Sequence, residues 1–122
     1  MKVVYLNVSE NKAPEVLDIK DELQEFYRLI KCDTIDITRR KIGNHYYDII
    51  CDDEGLWGDC KISAIDNLGQ PMLVGNLIVC DSEYGYEKSL TDEQVAEIKS
   101  CIQRMYTKNH PQGYYMITQC EY

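Results

Sequence analysis

Few residues in this 122-residue chain could do covalent chemistry: six cysteines, two histidines and some close-set carboxylates. The cysteines stand at 32, 51, 60, 80, 101 and 120, and the closest pair, Cys51 and Cys60, has eight residues between them. A zinc knuckle or a thioredoxin-like site presents two thiols from one tight turn, so it needs them within a few residues. That spacing is absent, and neither a metal, a cofactor nor a disulfide framework is expected. Cys51 and Cys80 end the apolar runs Tyr47-Asp48-Ile49-Ile50 and Leu77-Ile78-Val79, where a reduced cysteine packs as a small hydrophobe. All six are expected to be thiols in a reducing cytoplasm.

The histidines are equally unpromising for catalysis. Nothing in the linear order sets His45 or His110 beside a serine or cysteine, and there is no Gly-x-Ser-x-Gly elbow. Glycines are scattered singly, so no phosphate loop is formed, and Gly43 and Gly69 read as turn formers. Asp52-Asp53-Glu54, with Asp48 and Asp59 nearby, is the densest carboxylate group. Its spacing is not that of a calcium loop, which alternates its acids and adds a glycine and a distant glutamate. A solvated turn explains it. A sugar cleft would have Trp57 as its only indole. No catalytic residue is assigned, and the reading leans away from an enzyme.

Charge is more informative. The formal net charge is −8, which argues against direct nucleic-acid or anionic-membrane binding. From His45 to Glu97 there are twelve acids against two bases, Lys61 and Lys88, a net of −10 that leaves +2 elsewhere. The one dense basic run is Arg39-Arg40-Lys41. Ten tyrosines against one phenylalanine and one tryptophan also suit a contact surface, because tyrosine covers apolar area while its hydroxyl stays wet. The expected site is therefore an acidic face for a protein partner with a basic surface. Asp52, Asp53 and Glu54 would gather there with Asp81, Glu83 and Glu87, and Tyr84 or Tyr86 would serve as anchors. The alternative is a small-molecule or nucleotide-binding protein, an enzyme included.

The elements that must position these residues can be read from periodicity. Val3 to Val8 and Glu15 to Ile19 are expected strands, and the first is too short for a secretory core. Lys20 to Lys31 is an expected helix with Leu23, Phe26, Tyr27 and Ile30 on one face. Asp33 to Ile42 and Tyr46 to Cys51 form a hairpin around Gly43-Asn44. Ile62 to Ile65 and Met72 to Cys80 form another, with Gly75 as a bulge or close approach. Thr91-Asp92-Glu93-Gln94 is a capping box, with Leu90 and Val95 placed as its staple, and the helix should run from Asp92 to Tyr106. Tyr114 to Ile117 is an expected terminal strand within a tail, 113–122. No stretch approaches the roughly 18–20 apolar residues of a membrane span. The expected fold is one α+β domain over 1–122, a mixed, mainly antiparallel sheet with two amphipathic helices packed against it.

Three segments carry a resemblance: Asp36-Ile37-Thr38-Arg39-Arg40-Lys41-Ile42-Gly43, Tyr47-Asp48-Ile49-Ile50-Cys51-Asp52-Asp53-Glu54-Gly55 and Pro71-Met72-Leu73-Val74-Gly75-Asn76-Leu77-Ile78-Val79-Cys80. With Ser89-Leu90-Thr91-Asp92-Glu93 opening a helix, the chain resembles a family of small bacterial and phage proteins classed only as a domain of unknown function. The likeness spans about residues 1 to 105 and leaves the tyrosine-rich tail outside. The resemblance implies no activity and no site residues. It implies company: phages, plasmids and integrative elements of low-GC Gram-positive bacteria, whose accessory genes include inhibitors of host defence. The expected role is thus a non-enzymatic acidic binding protein, a candidate inhibitor of a basic, nucleic-acid-handling host or defence protein.

Overall fold

Along β1 (Lys2–Leu6) successive side chains enter two different cores: Val4 and Leu6 one, Val3 and Tyr5 the other, and all four are buried. The computed structural model describes residues 1–7, 10, 12–53, 62–65, 71–105, 108, 114–117 and 120–121. The strands β4 (His45–Asp52) and β7 (Leu77–Glu83) obey the same alternation. Tyr47, Ile49, Cys51, Leu77 and Val79 join Val4, whereas Ile50, Ile78 and Cys80 join Val3. Strands apolar on both faces need a cover on both.

Two helices supply it. α1 (Leu23–Ile30) buries Phe26, Leu29 and Ile30 on the Val3 side, and α2 (Asp92–Cys101) buries Ile98 and Cys101 on the Val4 side. The remaining elements are β2 (Glu15–Asp18), β3 (Ile35–Ile42), β5 (Ile62–Ile65), β6 (Pro71–Val74), β8 (Tyr86–Lys88), β9 (Ile102–Met105), β10 (Tyr114–Ile117) and β11 (Cys120–Glu121). The main sheet has the order β11-β3-β4-β7-β1-β2, antiparallel throughout, with β8 paired to β7. A second sheet runs β6-β5-β10-β9 and is parallel between β5 and β10. The fold is α+β, with a mixed, mainly antiparallel arrangement of strands, as the sequence pattern indicates.

A buried polar knot ties α1 to the sheet. Tyr5 Oη donates to the Leu29 carbonyl at 2.6 Å, and Asn76 Nδ2 donates to the same carbonyl and to Tyr5 Oη, each at 3.1 Å. Asn76 is 2% exposed, so these bonds replace water it has lost.

Several boundaries differ from expectation. The first strand stops at Leu6 rather than Val8, and the second at Asp18 rather than Ile19. The first helix starts at Leu23, which is half-exposed, and Leu29 takes the buried place assigned to it. The phase shifts because Phe26, Leu29 and Ile30 make the tighter i, i+3, i+4 stripe. Lys31, at φ +62, ends the helix in a left-handed cap.

The expected strand from Met72 to Cys80 is two strands in two sheets, broken at Gly75, whose φ is +77. The expected helix from Asp92 to Tyr106 ends at Cys101, and Ile102 opens β9 with an extended backbone. Pairing with β10 overrides helical propensity there, while Ile102 stays in the core that the helix fills. The capping box forms as expected: Thr91 Oγ1 accepts from Gln94 N, and Gln94 Oε1 accepts from Thr91 N. Leu90 and Val95 pack in the same core. Among the described residues no helix is long and apolar enough to cross a membrane.

Candidate functional site

Two hairpins end side by side at one end of the main sheet. The β3–β4 turn is Gly43-Asn44, with Gly43 at φ +65. A Cβ on Gly43 would stand 2.9 Å from Glu97 Cγ and Cδ of α2, so this position needs glycine for both its torsion and its contact. Glu97 is the hub of the contact. Its Oε1 accepts from Tyr47 Oη at 2.6 Å and lies 2.8 Å from His45 Nδ1, and its Oε2 accepts from Asn44 N at 3.4 Å. Burial pushes the Glu97 carboxyl up, but the hydrogen bonds from Tyr47, His45 and Asn44 prevail and hold its pKa below the ordinary value. Burial, then the hydrogen bond and charge of Glu97, push the Tyr47 phenol well up.

The neighbouring hairpin is built by β7 and β8, in the register Asp81↔Lys88, Ser82↔Glu87 and Glu83↔Tyr86. Its turn is Tyr84-Gly85, with φ +54 and +83. Positive φ at both central residues is the type I′ pattern, whose twist matches that of the strands and whose usual first residue is asparagine. Gln94 Nε2 holds the hairpin base by donating to Asp81 Oδ2 at 3.0 Å, and Lys88 Nζ meets Glu83 Oε2 at 3.2 Å. Beyond that base the tip is bare: Tyr84 is 92% and Tyr86 76% exposed.

The structure brings some expected site residues together and separates others. Asp81, Glu83, Tyr84, Tyr86 and Glu87 share the β7–β8 hairpin, with Asp81 and Glu87 half-buried and Glu83 exposed. Asp52 and Asp53 do not join them. The β4–β7 register pairs Asp48 with Cys80 and Ile50 with Ile78, so Asp52 lies towards the start of β7 and the hairpin lies past its other end. The gap is roughly 20 Å, given about 3.3 Å per residue along a strand. The gathering of both acid groups at one edge is therefore not found, because antiparallel pairing carries the ends of β4 and β7 in opposite directions. Glu54 lies outside the described residues, as do Trp57, Asp59, Cys60 and His110.

Linear reading missed the Glu97 hub, whose partners are 50 to 53 residues away. Its one trace was Tyr47, a hydroxyl at a core position of an alternating strand. Cys32, Cys51, Cys80 and Cys101 are free thiols. Burial and nearby Asp36, Asp52 and Asp53 push Cys51 up to about 11, and burial pushes Cys80 higher still. Among the described residues no three His, Cys, Asp or Glu side chains group closely enough to hold a metal ion.

A helix-covered, mainly antiparallel set of strands with an exposed β7–β8 tip makes this a small α+β domain. The chain belongs to the family described as Domain of unknown function (DUF3846), whose model matches residues 1–104. No curated protein and no solved structure shows a significant match.

Proposed function

We propose that the protein is a non-enzymatic binding protein of a phage or mobile element, acting in the cytoplasm, and that the β7–β8 tip anchors it to a protein with a basic surface. One observation carries this reading. Tyr84 combines a left-handed backbone, which costs a non-glycine residue about 1 kcal/mol, with almost complete exposure of a large ring. A turn selected for stability would have asparagine there. Next to the turn, Glu83 and Tyr86 form a cross-strand pair on one face and Glu87 follows on the other. The tip thus also carries a second aromatic and two carboxylates, one of them shared with Lys88, the kinds of group that attract and then grip a cationic surface. The net charge of −8 works in the same direction by speeding encounter. The expected target, a nucleic-acid-handling host or defence protein, rests on that charge and on the company the family resemblance implies.

Tyr84→Asn tests the reading with two measurements that should move in opposite directions. The variant should be more stable by about 1 kcal/mol and should lose a partner that the parent captures from host lysate at low salt and releases at high salt. Asp52→Lys with Asp53→Lys, at the far end of β4, should leave that capture intact. If Tyr84→Asn still retains the same protein at the same salt, the tip is not the anchor. The alternative, small-molecule binding, has one observation in its favour, on the sheet face behind the tip.

A further inference from the structure

We propose that Arg39, Tyr46 and Ser82 form a binding site for an oxyanion carried on an aromatic group. The register Arg39↔Asp48 and Lys41↔Tyr46 places Arg39, Lys41 and Tyr46 on the face of the sheet that carries α1, and Tyr46 remains 48% exposed there. The guanidinium of Arg39 leans two residues along the strands, over the Tyr46 ring at 5.5 Å from its centroid. There Nη1 reaches Ser82 Oγ on β7 at 3.4 Å.

These contacts hold the fork in place without using it up. Among the described residues no carboxylate lies within ion-pair distance of Arg39, although the chain has 21 acidic residues. A planar guanidinium can grip a carboxylate or phosphate with two parallel bonds, and stacking on an aromatic face fixes its plane beforehand. Tyr46 would supply the apolar wall and Ser82 one hydroxyl, while Lys41, opposite Tyr46 in the same row, has Glu121 of β11 as its other register partner and is not part of the site. Asp48, in Arg39's own row, Glu87, the register partner of Ser82, and the net charge of −8 all oppose an anion, so only weak binding, in the millimolar range, is expected. The site does not depend on the partner-binding reading.

The test is an NMR titration of the full chain with phenyl phosphate, benzoate and inorganic phosphate at low ionic strength. Saturable shifts of the Arg39 side-chain Nε–H and of Tyr46 are expected with phenyl phosphate, benzoate or both, and which of the two binds tells phosphate from carboxylate. Arg39→Gln should weaken binding at least tenfold, and Arg39→Lys, which keeps the charge but not the fork, should fall between. Tyr84→Asn should bind as the parent does, so failure here and failure of the tip anchor are separable. Absence of saturable shifts, equal binding by Arg39→Gln, or inorganic phosphate binding as tightly as phenyl phosphate would each overturn the proposal.

Discussion

Glu97 should couple energetically to Tyr47, and a double-mutant cycle can measure by how much. Glu97→Ala removes the acceptor of the 2.6 Å bond from Tyr47 Oη, a hydrogen bond to a charged group worth about 1.5–3 kcal/mol. It also removes the contact to His45, whose side chain is 59% exposed, and that adds no more than about 0.5 kcal/mol after screening. Glu97 is itself 19% exposed, so water can enter where the carboxylate stood and recover part of the loss. A net destabilisation of about 2 kcal/mol is expected. Tyr47→Phe should cost about 1.5 kcal/mol by the same bond, because the ring stays packed. The double variant should cost about 2.5 kcal/mol, well short of additivity, since the shared bond can be lost only once. Urea unfolding at pH 7, with unchanged slopes, is the assay. Additivity within about 0.3 kcal/mol would refute the placement of Glu97 as acceptor for Tyr47.

Other perturbations separate the remaining contacts. Because the folded-state pKa of Glu97 lies below its ordinary value of 4.5, its stabilisation is complete above that value and lost as the pH falls through the folded value. The stability gap between the parent and Glu97→Gln should therefore narrow on acidification below about pH 4.5, and a gap that widens would contradict it. Gly43→Ala should be more damaging than Gly85→Ala: both positions have positive φ, but only at Gly43 would the new Cβ press on Glu97, while nothing lies within 4 Å at Gly85. Equal melting temperatures for the two variants would be inconsistent with that contact. Asn76→Ala should cost about 2–3 kcal/mol in urea unfolding, for two lost buried hydrogen bonds. Thiol titration of denatured, unreduced protein should count all six cysteines, and in the native state Cys51 and Cys80 should react slowest, since both are buried with raised pKa values.

The main sheet was largely readable because its signals are local. Alternation marks β3, apolar runs mark β1 and β4, Gly43-Asn44 marks the β3–β4 hairpin, and Thr91 with Gln94 marks the start of α2. What escaped depends on distant partners. Ile102 suits either a helical stripe or a strand, and only pairing with β10 decides between them. Asp81-Ser82-Glu83 has too little apolar character to announce a strand, yet β7 carries them on from its buried half into the hairpin. The tip residues Tyr84 and Tyr86 were legible as exposed tyrosines among acids. Their separation from Asp52 and Asp53 was not, because it follows from the direction in which β4 and β7 are paired. Arg39 was visible only as part of a basic run, since its position over Tyr46 needs the β3–β4 register.

The boundary of the family match falls inside β9, and this divides the architecture into a part that the family pattern covers and a part beyond it. Residues 1–104 supply both helices and every strand of the main sheet except the two-residue β11. The smaller sheet is different: its second-to-last strand, β10, lies beyond the match, and it alone links the β5–β6 hairpin to β9. The recognisable pattern thus ends where the helix-covered core is already complete, and the four-stranded layer is closed by residues outside that pattern. The smaller sheet therefore depends on both parts of the chain: β5, β6 and most of β9 lie within the match, and β10, which joins them, lies beyond it.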